Sequence, residues 1–345
     1  MTHYLSALTY DDIQLIPQYS EIESRSTIDL TTSLSRRYKI SLPYVASPMD
    51  TICDYNMAIR MHQLGGVGCI HRFMSVEGQA AQVRLVASSV NDDTYPVMAA
   101  VGSNGDYLER AQALIDAGAK VLLIDVAHGH HKNVKDAIHN IKSLPNSSHV
   151  DIIAGNIATH YAAQDLVSWG ADGLRVGIGG GSLCSTRVQT GHGVPNITSI
   201  MEVVAGAEDE GIPVMADGGI RSSGDIAKAL AVGADTVMLG SLLAGTSETP
   251  GAIIEKGPHL FKRYRGSASL ETKSAHSQKL RNVEGESTIV PFKGKVQYVI
   301  SKLNDGLQSA LSYSGCDSIT EFQSRADWIQ VTNAGITEAR PQLLG

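Results

Sequence analysis

Cysteine is scarce in this chain, with four in 345 residues, at Cys53, Cys69, Cys184 and Cys316. No two are spaced C-x-x-C, which argues against a structural zinc site and against a disulfide framework. Aromatic residues are also few, 5% of the total, so base-stacking platforms for nucleic acid are not expected. Nor is there a long basic run. The densest early cluster, Arg36-Arg37-Tyr38-Lys39, is short, and the net charge is −7. Both features disfavour a nucleic-acid or anionic-membrane partner. No apolar stretch reaches the roughly 18 residues of a membrane-spanning helix. The start, Met1-Thr-His-Tyr-Leu-Ser6, lacks the basic and apolar regions of a secretion signal. A soluble, cytoplasmic protein is the expectation.

What is present is ordinary globular composition, 43% hydrophobic and 18% charged, in a chain long enough for one large α/β domain or two smaller ones. The 34 glycines cluster, as in ligand-binding α/β folds. Eight short apolar runs recur, at 40–45, 66–70, 96–101, 121–126, 150–154, 173–178, 212–216 and 236–240. Continuous apolar runs suit strands buried on both faces of a parallel sheet. Helix-period segments lie between most of them, including 106–117, 158–169, 197–210 and 224–232. Three times a helix gives way to Gly-Ala and then a strand, at Gly118, Gly170 and Gly233. Eight alternations predict a (β/α)8 TIM barrel. A doubly wound open sheet is the alternative, but no G-x-G-x-x-G follows the first strand.

In a barrel, chemistry gathers at the C-terminal ends of the strands. Ser47-Pro-Met49-Asp50, Asp125-Val-Ala-His128-Gly-His130 and Gly155-Asn156 fall there, as does the loop Gly177-Ile-Gly-Gly-Gly-Ser-Leu-Cys184-Ser-Thr186-Arg187. Glycine lets backbone approach a ligand closely, and a thiol at the end of such a loop can be held exposed as a nucleophile. Asp217-Gly218-Gly219 and Gly240-Ser241 follow the seventh and eighth strands, the usual phosphate position of a barrel, and Ser182 can add a hydroxyl. His128, His130 and His131 lack the spacing and further ligands of a zinc site. A cofactor-contacting or structural turn is expected there, with Asp125 accepting from ribose hydroxyls. Residues 262–294 are polar without clear periodicity and read as a mobile flap. Residues 296–310 read as the closing helix, and 331–338 as a strand and turn.

These motifs, with Ala216-Asp-Gly-Gly-Ile-Arg221 and Met238-Leu-Gly-Ser-Leu-Leu-Ala-Gly245, resemble the IMP dehydrogenase / GMP reductase family over nearly the whole chain. The resemblance implies a barrel that binds a purine nucleotide monophosphate and a nicotinamide cofactor. It implies that Cys184 attacks purine C2 to form a covalent adduct, with Thr186 assisting proton transfer. Ser47, Ser182, Asp217, Gly218, Gly219, Gly240, Ser241, Tyr264 and Gly266 resemble nucleotide ligands, and Met49 and Glu284 base contacts. Asp125, Ala127, His128 and Gly177 resemble cofactor-side positions. Gly177, Gly179 and Cys184 resemble the dehydrogenases' potassium site. Gly180 stands where the family loop usually has proline, a change expected to loosen the loop. The stretch 72–96 is too short for the family's regulatory insertion, so a single catalytic domain over 1–345 is expected. The family is tetrameric, and a homotetramer is expected here.

Two activities share the adduct. The dehydrogenase converts IMP to XMP with NAD and hydrolyses the adduct, using an Arg-Tyr pair in its flap as base. The reductase releases ammonia from GMP and then uses NADPH, through a Thr and a Glu. Residues 266–284 contain no Arg-Tyr pair. Arg281-Asn-Val-Glu-Gly285, Val290-Pro-Phe-Lys-Gly294 and Leu307-Gln-Ser-Ala-Leu-Ser-Tyr313 are reductase-like. Against this, Leu270 follows Ser269 where the reductase has its glutamate, Glu271 comes one residue later, and Ala334-Gly-Ile-Thr-Glu338 is dehydrogenase-like. Losing a general base costs typically about 10²–10⁴-fold, so the reductase is the first reading, with Glu271 as its candidate catalytic glutamate. The dehydrogenase is the second reading, and a catalytically silent nucleotide-binding member is the third. No arginine for a cofactor 2′-phosphate can be placed.

Overall fold

The computed structural model describes residues 6–90, 94–266 and 285–339. Its eight parallel strands are β1 (Tyr44–Ala46), β2 (Val67–Ile70), β3 (Met98–Val101), β4 (Val121–Asp125), β5 (Asp151–Ile157), β6 (Gly173–Val176), β7 (Val214–Asp217) and β8 (Thr236–Leu239). Each pairs with the next, and β8 pairs with β1, so the barrel closes in sequence order. Every run expected to be a strand is one. Nearly all of their residues are buried, as an inner layer covered by helices requires.

The helices that matter for the site are α1 (Tyr55–Gln63), α2 (Val76–Ser89), α3 (Tyr107–Asp116), α4 (Lys132–Lys142), α5 (His160–Ser168), α6 (Thr186–Thr190), α7 (Asn196–Ala207), α8 (Ser223–Ala231) and α9 (Val296–Tyr313). Polar caps start several of them. The Asp54 carboxylate accepts from the N–H groups of Asn56 and Met57, and the Ser222 hydroxyl from Asp225. After α3, α5 and α8 the chain turns at Gly118, Gly170 and Gly233, all at positive φ, which is the Gly-Ala repeat seen in the sequence. Among the described residues no helix is long and apolar enough to cross a membrane.

Outside the barrel, Ile13–Leu15 pairs antiparallel with Trp328–Gln330 and so ties the two ends of the chain together. Two expectations need correction. Residues 333–338, read as strand and turn, form the short helix Asn333–Glu338, because the Thr332 hydroxyl caps it by accepting from the Gly335 N–H. The borders of 262–294 are not loop. Strands β9 (Ile254–Lys256), β10 (His259–Arg265) and β11 (Ser287–Pro291) form an antiparallel sheet. The inward alternation of β10 was masked because one inward residue is Lys262. Its stem is buried, and its ammonium donates to the carbonyls of Thr246, Ser247 and Thr249.

At the start of β8, the carboxyl of Asp235 accepts from the Val214 N–H at 2.8 Å, and burial pushes its pKa up to about 6. Because the folded pKa lies above the unfolded one, its stabilising contribution is present at low pH and fades as pH rises through about 4 to 6. Asp235→Asn is therefore expected to flatten the pH dependence of stability in that window. Urea unfolding at several pH values checks this, and an unchanged slope counts against it.

Candidate active site

A cavity of about 470 Å³ opens at the C-terminal ends of the strands. That size is in the usual range for a small-molecule site. Cys184 stands at its edge. The loop that carries it leaves β6 at Gly177, whose φ is +137°, and a Cβ there would lie 2.1 Å from the Asp217 carbonyl oxygen. Only glycine lets the loop pass so close to β7. The Cys184 N–H donates to the Gly181 carbonyl at 3.1 Å, and the residue bridges antiparallel to Gly285. Beside it, the Glu286 N–H donates to the Leu183 carbonyl, and the Gly266 N–H to the Glu286 carbonyl. The foot of the flap sheet is thus stitched to the cysteine loop.

The Cys184 thiol lies 3.2 Å from the Thr186 hydroxyl. It is exposed, whereas Cys53, Cys69 and Cys316 are buried. Burial raises the pKa of each of those three thiols.

Across the cavity floor runs a line of charge. Arg175, on β6, is buried in the barrel mouth. Its guanidinium contacts Asp125 at 2.5 Å and Asp217 at 3.0 Å. Burial opposes its charge, but the carboxylates of Asp217 and Asp125 outweigh that, and its pKa is raised. Asp217 also accepts from the Asn156 amide at 2.8 Å. Arg72 stands 3.9 Å from Asp125 and 5.4 Å from the Phe73 ring. At the other side, the Tyr264 hydroxyl is 3.2 Å from that of Ser182, and burial pushes the Tyr264 pKa up. Asp50 holds Arg265 of β10 at 2.6 Å.

The structure gathers most of the residues singled out in the sequence around this one cavity. Ser47, Met49, Asp125, Ala127, Gly177, Gly179, Ser182, Cys184 and Thr186 line it, as do Asp217, Gly218, Gly219, Gly240, Ser241, Tyr264 and Gly266. His128 does not; it is exposed beside the wall. Burial, and then His130, His131 and His192, lower its pKa. The other two histidines do structural work. His130 contacts Asp165 at 2.7 Å, and the His131 ring caps α4 by accepting from the Asn133 N–H. Glu271 and Glu284 lie outside the described residues. At the expected cation site, the Gly177 carbonyl accepts from Asn156 at 2.7 Å and the Ile178 carbonyl from Arg187 at 3.1 Å. Protein donors therefore already hold two carbonyls of that loop.

Sequence reasoning passed over Arg72 and Arg175. The signal was present for Arg175, a lone charge inside the apolar strand Gly173-Leu-Arg-Val176. A buried charge of that kind is almost never unpaired.

Comparison with known proteins places this geometry. The model of the IMP dehydrogenase / GMP reductase domain matches residues 7–342. Inosine-5'-monophosphate dehydrogenase of Cryptosporidium parvum is 37% identical, over 96% of this chain and 94% of its own. GMP reductase of Leishmania major is 32% identical, over 96% of each. A crystal structure of a cysteine-to-alanine variant of Trypanosoma brucei GMP reductase, in complex with guanosine 5'-monophosphate, superposes with a TM-score of 0.93 at 31% identity. It covers 99% of this chain and 98% of that one.

Removing the guanidinium with Arg175→Leu leaves two carboxylates facing each other in the barrel mouth. The expected loss of stability is about 3 kcal/mol, the usual scale for breaking a buried ion pair. Urea unfolding measures it, and a loss below about 0.5 kcal/mol would mean that the bridge is not what holds the mouth together.

Proposed function

The chain belongs to the IMP dehydrogenase / GMP reductase family, and from that premise we propose that it is a GMP reductase. The exposed Cys184 thiol, 3.2 Å from the Thr186 hydroxyl at the edge of the cavity, supports the covalent chemistry that both family activities share. The overall reaction is GMP plus NADPH and two protons giving IMP, NADP⁺ and ammonium. Cys184, as thiolate, attacks C2 of the purine. The C2–S bond forms, and the exocyclic C2–N bond breaks. The amine leaves as ammonia, and the Thr186 hydroxyl relays the proton it needs. The nicotinamide cofactor, when bound, supplies the hydride that C2 receives. The C2–S bond then breaks and returns the thiolate.

The residues present fit both ligands. The Asp217 carboxylate faces the cavity and accepts from ribose hydroxyls. Ser182, Gly218, Gly219, Gly240, Ser241 and Tyr264 surround the phosphate, and Gly240 leaves the room it needs, since a Cβ there would lie 3.2 Å from the Tyr264 hydroxyl. Ser47 and Met49 flank the base, and Gly266 lies at the foot of the flap. Asp125, Ala127 and Gly177 face the cofactor. Arg175 contacts Asp125 at 2.5 Å and Asp217 at 3.0 Å and so orients both carboxylates. The family resemblance also carries a single catalytic domain in a cytoplasmic homotetramer.

The reductase reading rests on the absence of an Arg-Tyr pair from residues 266–284, where the dehydrogenase has its water-activating base. It agrees with the GMP-bound reductase among the similar structures. IMP dehydrogenase is the second reading, favoured by Leu270 after Ser269 and by Ala334-Gly-Ile-Thr-Glu338. Two paired absorbance assays separate them. GMP with NADPH is expected to give IMP and ammonia. Robust NADH formation from IMP and NAD, without GMP-dependent NADPH loss, overturns the reductase reading.

Cys184→Ala is expected to lower turnover by at least about 10³-fold while GMP still binds. Retention of a tenth of the wild-type rate would remove the covalent mechanism.

A further inference from the structure

The carboxamide of Asn196, the first residue of α7, is buried and touches three parts of the site at once. Its Nδ2 donates to the Gly218 carbonyl, at the turn after β7. Its Oδ1 lies 3.4 Å from the Arg187 guanidinium, three residues past Cys184. The same guanidinium donates to the carbonyls of Ile178 and Val194. The amide also lies against Gly180 and Gly219. A Cβ at Gly180 would sit 2.5 Å from Asn196 Oδ1, and one at Gly219 would sit 2.7 Å from Nδ2. Gly180 has no positive φ, so the constraint there is space rather than backbone conformation. The volume that a side chain would need at Gly180 is filled by Asn196.

We propose that Asn196 is a positioning residue that sets the spacing between the cysteine loop and the Gly218-Gly219 turn, and that Gly180 is shaped to receive its carboxamide. The proposal rests on the reading of Cys184 as nucleophile and of Gly218-Gly219 as part of the phosphate site. A nucleotide held by its phosphate at one loop presents C2 to a thiol on the other. The distance between the loops therefore fixes the attack geometry, where an error of about 1 Å costs on the order of 10²-fold in rate. Hydrogen bonding and packing both contribute. Asn196→Asp keeps the shape but removes the donor to Gly218, and is expected to fall as far as Asn196→Ala.

The test is a double-mutant cycle between Gly180 and Asn196, read by kcat on GMP and by the rate at which iodoacetamide alkylates Cys184. Alkylation needs neither cofactor nor turnover, so it separates a failed clamp from a failed reductase reading. Asn196→Ala is expected to lower kcat by about 30–100-fold, with KM for GMP changing by less than about threefold. Gly180→Ala is expected to be as severe in the wild-type background. With Asn196 already alanine, Gly180→Ala is expected to cost less than about threefold more, because the atom it strikes is gone. The protection of Cys184 that GMP gives against alkylation is expected to fall at least about tenfold in each single variant. Fully additive losses in the double variant, or an Asn196→Ala protein that keeps kcat and nucleotide protection while only melting earlier, would overturn the proposal.

Discussion

Arg175 carries its charge into a place where burial opposes it. Asp125 and Asp217 offset that cost from either side, at the ends of β4 and β7. Each of the three groups depends on the other two. Without the guanidinium the carboxylates face each other, and without either carboxylate the guanidinium is a desolvated cation. The barrel supplies the three positions by register alone, since these residues sit at or near the C-terminal ends of three strands in one ring. Asn156, at the end of β5, extends the network to the Gly177 carbonyl, where the cysteine loop begins. The floor of the cavity is therefore one connected polar network.

The loops above that floor are less regular, and they are fixed in a different way. Backbone bridges from Gly285 and Glu286 hold the cysteine loop from the flap side. Arg187 and Asn196 hold it from beneath. The Asp50–Arg265 pair anchors strand β10 to the loop after β1. Together these contacts leave the Cys184 thiol exposed on a backbone that has little freedom of its own. A nucleophile needs both conditions, since access without order wastes attack geometry and order without access excludes the substrate.

Much of this was legible in the sequence, and the reasons are physical. Parallel strands covered on both faces read as unbroken apolar runs, so all eight could be counted, and the Gly-Ala repeat marked where helices end. The cysteine loop and the two glycine turns were readable because close backbone approach demands glycine. The rest was hidden wherever a side chain acts against its type. Lys262 points inward on β10 and spoils its alternation. Thr332 caps a helix in a segment that reads as strand. Arg175 looks like a flaw in an apolar strand until its two partners arrive from 50 and 42 residues away, at Asp125 and Asp217. Nothing local to Gly180 reveals that Asn196 fills the space a side chain there would need.

The proposed function turns on one chemical event, a bond between the Cys184 sulfur and C2 of a purine nucleotide. The most direct measurement is to mix the protein with GMP and NADPH, quench in acid within one turnover, and map the peptides by mass. The account predicts the peptide containing Cys184 carrying a purine nucleotide that has lost its exocyclic amine, with Cys53, Cys69 and Cys316 unmodified. Turnover of GMP with the Cys184 peptide bare at every quench time would contradict it.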